Sequence, residues 1–185
     1  MDVPLDVVLS AIGALGIVAT VVLMWLELRH GRRVSTAGFT LTLCYDIFHS
    51  ESMIEHRRRL AELLQSPVMD EVVFERIDRE AREPLDFMED VGELLRSKVV
   101  LKEFIYSSLS YWILNYWLLA EGYVKWARRT NPLFYDNFEH LFNEMLKIEA
   151  KRRNKAPQEV LKELRRSVEL RYFIESEKNL PVLGK

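Results

Sequence analysis

The chain reads as an all-α protein, a single N-terminal transmembrane helix followed by a cytosolic helical bundle. Three observations predict this. Residues 7–26, VVLSAIGALGIVATVVLMWL, form a run of twenty without a charge. Beyond residue 33, apolar side chains recur at helical spacings of three and four, and no stretch alternates as a half-buried strand would. The 185 residues are 49% hydrophobic and 29% charged, with seven Gly and six Pro, which excludes a disordered or collagen-like chain. A single cysteine, Cys44, excludes an internal disulfide and fits a reducing compartment. The chain divides into an anchor with a basic stop at 1–33, a bundle at 34–178 and a tail at 179–185.

The anchor is justified by length and flanks. Twenty helical residues at about 1.5 Å each match the hydrocarbon thickness of a bilayer. Val7 and Leu26 bound the span, Leu15 lies in its middle, and Trp25 sits where an indole favours the interface. Lys and Arg are absent before it, whereas Arg29, Arg32 and Arg33 follow directly. The positive-inside rule then places the N-terminus outside and the bundle in the cytoplasm, at the inner (plasma) membrane. A cleavable signal peptide has the opposite charge order and small residues at its end. Ser10, Gly13, Gly16 and Thr20 are small enough for close helix approach in lipid, a candidate face for self-association, although no GxxxG occurs.

The bundle elements follow in order. A first segment at 35–48 is broken by the His-Ser-Glu-Ser stretch, and Ser52 with Glu55 has capping-box spacing for a helix at 53–64. Gln65-Ser66-Pro67 ends it. A helix at 70–79 comes next, and Pro84 suits the first turn of another. The longest helix spans 101–129, with Ile105, Leu109, Trp112, Tyr116, Leu119, Tyr123 and Trp126 forming an unbroken seam of bundle core. Its stretch 104–120 lacks charges, so a second span is the alternative, opposed by three serines, Asn115 and three tyrosines. Asn131-Pro132 starts a helix running to residue 153, and Pro157 opens a last, charged one that fades before Asn179.

Charge is unevenly spread. Residues 51–96 carry seven basic and thirteen acidic side chains, net −6, and residues 147–185 carry eleven and six, net +5. The two regions could pair within a bundle or between copies, or the basic end could lean on an anionic leaflet.

No catalytic signature emerges. The chain has no Walker loop, no GxGxxG, no paired metal-ligating histidines and no second Glu-x-x-His beside the single one at Glu27 and His30, where a di-iron bundle needs two. No cofactor or metal is expected. His140 and Glu144 stand one helical turn apart, as surface pairs commonly do. Cys44 lies among apolar residues without a cation to favour its thiolate. Arg57-Arg58-Arg59 and Lys151-Arg152-Arg153 are basic triplets without exposed aromatic platforms beside them, which disfavours nucleic acid as a partner.

The segment from Phe39 to Arg129, above all Asp86-Phe87 through Gly92 and the pairs Tyr111-Trp112 and Tyr116-Trp117, resembles a group of uncharacterised, membrane-anchored helical proteins from prokaryotes, known only as a domain of unknown function. The resemblance implies a bacterial or archaeal source and an all-helical cytosolic domain. It implies no activity and no functional residues. The expected role is a membrane-anchored binding or scaffolding module, with the lipid bilayer and a protein partner or a second copy as partners. The alternative is a membrane-acting effector of the stress or phage-defence type, whose anchor oligomerises when the bundle senses a ligand.

Overall fold

The computed structural model describes residues 23, 24, 27, 38, 39 and 42–181. The chain separates into two compact units, Met1–Gly38 and Phe39–Lys185. The expectations for Val7, Ser10, Gly13, Leu15, Gly16, Thr20, Trp25, Leu26, Arg29, Arg32 and Arg33 fall outside the described residues, as does that for the Cys44 side chain.

The second unit is a bundle of α-helices entered through a π-helical segment, Leu43–Phe48. The helices are α1 (Glu51–Leu64), α2 (Glu71–Glu80), α3 (Glu83–Arg96), α4 (Lys102–Ala127), α5 (Asp136–Arg153), α6 (Pro157–Arg166) and α7 (Val168–Lys178). No strand occurs among the described residues.

Local chemistry sets most boundaries. Extended Ser50 caps α1, its hydroxyl accepting from the Met53 amide at 3.3 Å. The cap therefore stands two residues before the expected Ser52–Glu55 box, and Glu55 instead pairs with Arg58 and Arg59. Asp70 caps α2 through the Val73 amide at 3.1 Å, and Pro84 lies in the first turn of α3. Left-handed Lys98 (φ 57°) closes α3, with the Val99 amide returning to the Leu94 carbonyl. Asn154 (φ 54°) does the same for α5, returning Lys155 N–H to Ala150.

Two boundaries depart from the sequence reading. The helix expected from Pro132 begins only at Asp136, because Tyr135 is left-handed (φ 58°) and its carbonyl and that of Phe134 are held by the Arg128 guanidinium. The single last helix is two, broken at Ser167.

Helix α4 supplies the middle of the core. Ile105, Leu109, Tyr116 and Tyr123 are buried as the seam predicts, whereas Trp112, Leu119 and Trp126 are half-buried and pack against the core from its margin. Ile113, Leu114, Trp117, Ala120 and Val124 are buried as well, so α4 is enclosed over much of its circumference. Among the described residues no helix is long and apolar enough to cross a membrane, which tells against a second span at 104–120.

Among the described residues the most extensive helix contact is between α3 and α5, and Gly92 allows their close approach. A Cβ at this position would lie 2.2 Å from the Asn137 carbonyl oxygen. One turn earlier, Glu89 accepts the Asn137 and Phe138 amides at 3.2 and 2.7 Å, capping α5 from a neighbouring helix.

Candidate functional site

The most concentrated chemistry is a charge buried inside the bundle. Arg57 of α1 and Glu177 of α7, 120 residues apart in the chain, are 1% and 3% exposed and form a two-point ion pair. Arg57 Nε donates to Oε2 at 2.8 Å and Nη2 to Oε1 at 2.6 Å. Trp112 Nε1 of α4 donates to Oε1 at 3.1 Å, and the Tyr116 hydroxyl donates to Oε2. The remaining Arg57 nitrogen, Nη1, donates to the Phe48 carbonyl at 3.2 Å and lies 3.4 Å from Nδ1 of His49. The guanidinium also lies over the Phe48 ring, 4.3 Å from its centroid, and that ring packs against Phe87 and Trp112.

Local sequence explains the placement. Arg57 occupies a position on the apolar stripe Ile54, Leu60, Ala61 and Leu64, and Glu177 continues the stripe of Phe173 and Ile174. Folding these stripes inward carries both charges with them, and neither is tolerable inside without the other.

The electrostatics follow the geometry. Burial opposes the Arg57 charge, and the Glu177 carboxylate outweighs that opposition and holds the guanidinium above its ordinary value. Burial, reinforced by Glu177, pushes the Tyr116 hydroxyl far up, so it remains a donor. Burial and then the Arg57 charge pull His49 below its ordinary 6.5, against the smaller opposing effect of Glu177. Four donors converge on the two oxygens of Glu177.

A second polar chain lies between α2, α3, α4 and the turn before α5. Tyr135 donates to Asp86 at 2.9 Å, Tyr123 donates to Asp78 at 3.0 Å, and the two hydroxyls are 3.5 Å apart. Arg82 reaches both carboxylates, at 3.0 Å from Asp86 and 3.7 Å from Asp78. Burial raises both tyrosines and also raises Asp86, the latter against the pull of Tyr135 and Arg82.

His140 and Glu144, one turn apart in α5, border a surface cleft of about 580 Å³ together with Lys98 and Lys102. Glu144 is committed to Lys147 at 2.7 Å and to Lys102 at 3.7 Å. Among the described residues no three His, Cys, Asp or Glu side chains converge where a metal ion could sit.

Of the residues singled out in the sequence, Trp112 and Tyr116 join the buried network as well as the core. Glu177, Asp78 and Glu89 are missed by sequence reasoning, which reads Arg57 only as part of a basic triplet and Asp86 only as part of the family-like segment. The available signal was a charge standing on an apolar helical stripe, at 57 and again at 177.

The fold and this network define an all-helical bundle closed by a buried ion pair. Residues 14–145 match the family described as a domain of unknown function (DUF4760), most of the chain, and the protein belongs to that family. Arg57, Trp112 and Tyr116 lie within the matched residues and Glu177 lies beyond them. No curated protein and no solved structure matches the chain.

Proposed function

We propose that the protein is a membrane-anchored helical scaffolding module. Residues 7–26 form its single span, the N-terminus lies outside, and the bundle stands at the cytoplasmic face of the inner (plasma) membrane, where it engages a protein partner or a second copy. The observation that carries this reading is the twenty-residue uncharged run with arginines on its C-terminal side only. Support from the bundle is indirect. Its densest polar cluster has its donors and acceptors mutually satisfied, the condition of a rigid platform rather than of a reacting centre. Confinement to one membrane raises the effective concentration of a partner without a tight interface.

The test is fractionation of the full chain beside a chain beginning at Val34. The full chain should stay in the membrane through alkaline extraction, and the shorter one should be soluble, helical by circular dichroism and cooperatively unfolding. A full chain released by alkali overturns the anchor.

The second reading, a membrane-acting effector, draws on the small residues Ser10, Gly13, Gly16 and Thr20. It requires growth arrest and dye entry on expression, both lost when Gly13 and Gly16 become leucine.

A further inference from the structure

Helices α6 and α7 together span residues 157–178, and only Ser167 between them departs from helical geometry, at φ −70° and ψ 142°. Nothing local enforces the break. Residues 158–178 contain neither proline nor glycine, and the Ser167 side chain caps nothing. At the kink the backbone falls back on i−3 bonds, Ser167 N–H to Leu164 at 3.2 Å and Leu170 N–H to Ser167 at 3.4 Å, so straightening would restore ordinary helical bonding. What bends the chain at Ser167 is therefore how the two helices dock, α6 through buried Val160 and Leu164 and α7 through Phe173, Ile174 and Glu177.

That docking is a plug in a socket. Phe173, Ile174 and Glu177 are buried, whereas Tyr172 and Val168 are 70% and 63% exposed. The socket is Arg57 with Tyr116 and Trp112, and Gln65 adds bonds at its rim to Glu175 and, at 3.1 Å, to Lys178. A buried guanidinium without a counter-charge is strongly unfavourable, so the socket demands a carboxylate at this geometry. A second copy of the chain presents the same plug.

We propose that two copies exchange α7 reciprocally, each seating its Glu177 on the other's Arg57, with Ser167 as the hinge. The exchange keeps the plug contacts intact and relieves the kink, the condition under which domain swapping is inexpensive. The proposal deepens the scaffold reading by naming the second copy as partner, and rests on the anchor only for local concentration.

The experiment uses the full chain in detergent, with mass by light scattering across concentration. Ser167→Ala, which favours a continuous helix at both hinges, should tighten dimerisation by about fivefold. Four residues, Gly-Ser-Gly-Ser, inserted after Ser167 should return the chain to monomer. Exchange itself is read with two differently tagged copies in a Cys44→Ser background, one carrying Gln65→Cys and the other Glu175→Cys, joined by a short bis-maleimide. A product bearing both tags is expected. The same two cysteines in one chain must cross-link in every case, which confirms that the sites are reachable and folded.

Dimers without the two-tag product, or a Ser167→Ala chain that stays monomeric at all concentrations, overturn the proposal. Because the chain is in detergent, loss of the anchor reading by alkaline extraction leaves this outcome independent.

Discussion

At the scale of residues, Arg57 and Glu177 stand or fall together. Replacing Glu177 by Gln leaves a buried guanidinium without a counter-charge, and the expected loss is about 3 kcal/mol, read from urea unfolding. Arg57→Met with Glu177→Leu removes both charges and should lose less than either single change, despite the orphaned donors of Tyr116 and Trp112. A double variant as unstable as the sum of the singles would show that the pair is not a unit. His49 adds a pH dependence to the same site. Burial and then Arg57 hold it below 6.5 in the folded protein, so between that folded value and 6.5 the unfolded chain binds more protons. Its contribution is intact above 6.5 and is lost as the pH falls toward the folded value. Physically, a proton on Nδ1 would face Arg57 Nη1 at 3.4 Å. The urea midpoint should therefore drop between about pH 7 and pH 5, and His49→Gln should flatten that drop. Equal slopes in the two proteins would exclude His49 as the cause.

Among elements, the α3–α5 contact is the most exacting, since it brings backbone against backbone at Gly92. The added methyl of Gly92→Ala would meet the Asn137 carbonyl at 2.2 Å, and neither atom belongs to a flexible side chain. The helices must part, which also stretches the Glu89 bonds that cap α5. The expected cost is about 1–3 kcal/mol, against a gain of up to about 1 kcal/mol for the same change in an open helix. A thermal melt with an unchanged or raised midpoint would refute the tight contact. The elements themselves were largely legible in the sequence, because apolar spacing of three and four over 105–126 marks a packed helix, although the buried stripe of α4 runs through Ile113, Ala120 and Ala127 where the sequence seam has Trp112, Leu119 and Trp126. Helix starts at Asp70 and Pro157 were legible through caps and proline. Tyr135 and Ser167 were not, since the Tyr135 backbone is held by Arg128 and the Ser167 break follows the docking of both flanking helices rather than its own side chain. The site was illegible for a related reason. A lone Arg or Glu in a helix normally faces water, and the sequence offers no pairing rule across 120 residues.

For the whole molecule, the same pair ties the first α-helix of the bundle to the last, and the π-helical entry segment joins them through the Phe48 carbonyl. Closure of the bundle therefore depends on residues beyond the family match, which ends at residue 145 inside α5. A chain stopped after Arg166 would retain most of the α4 and α5 core, yet expose Tyr116 where Phe173 packs and leave Arg57 uncompensated. Such a chain should keep much of its helical circular dichroism while losing a sharp thermal transition and binding a hydrophobic dye, the signature of lost packing with retained helices. Adding Arg57→Met to the shortened chain separates the two causes. If the unpaired charge dominates, the transition sharpens again; if the lost apolar contacts dominate, it does not. A shortened chain that melts as cooperatively as the full one would mean that α7 is an appendage, and that the buried ion pair contributes nothing to the integrity of the bundle.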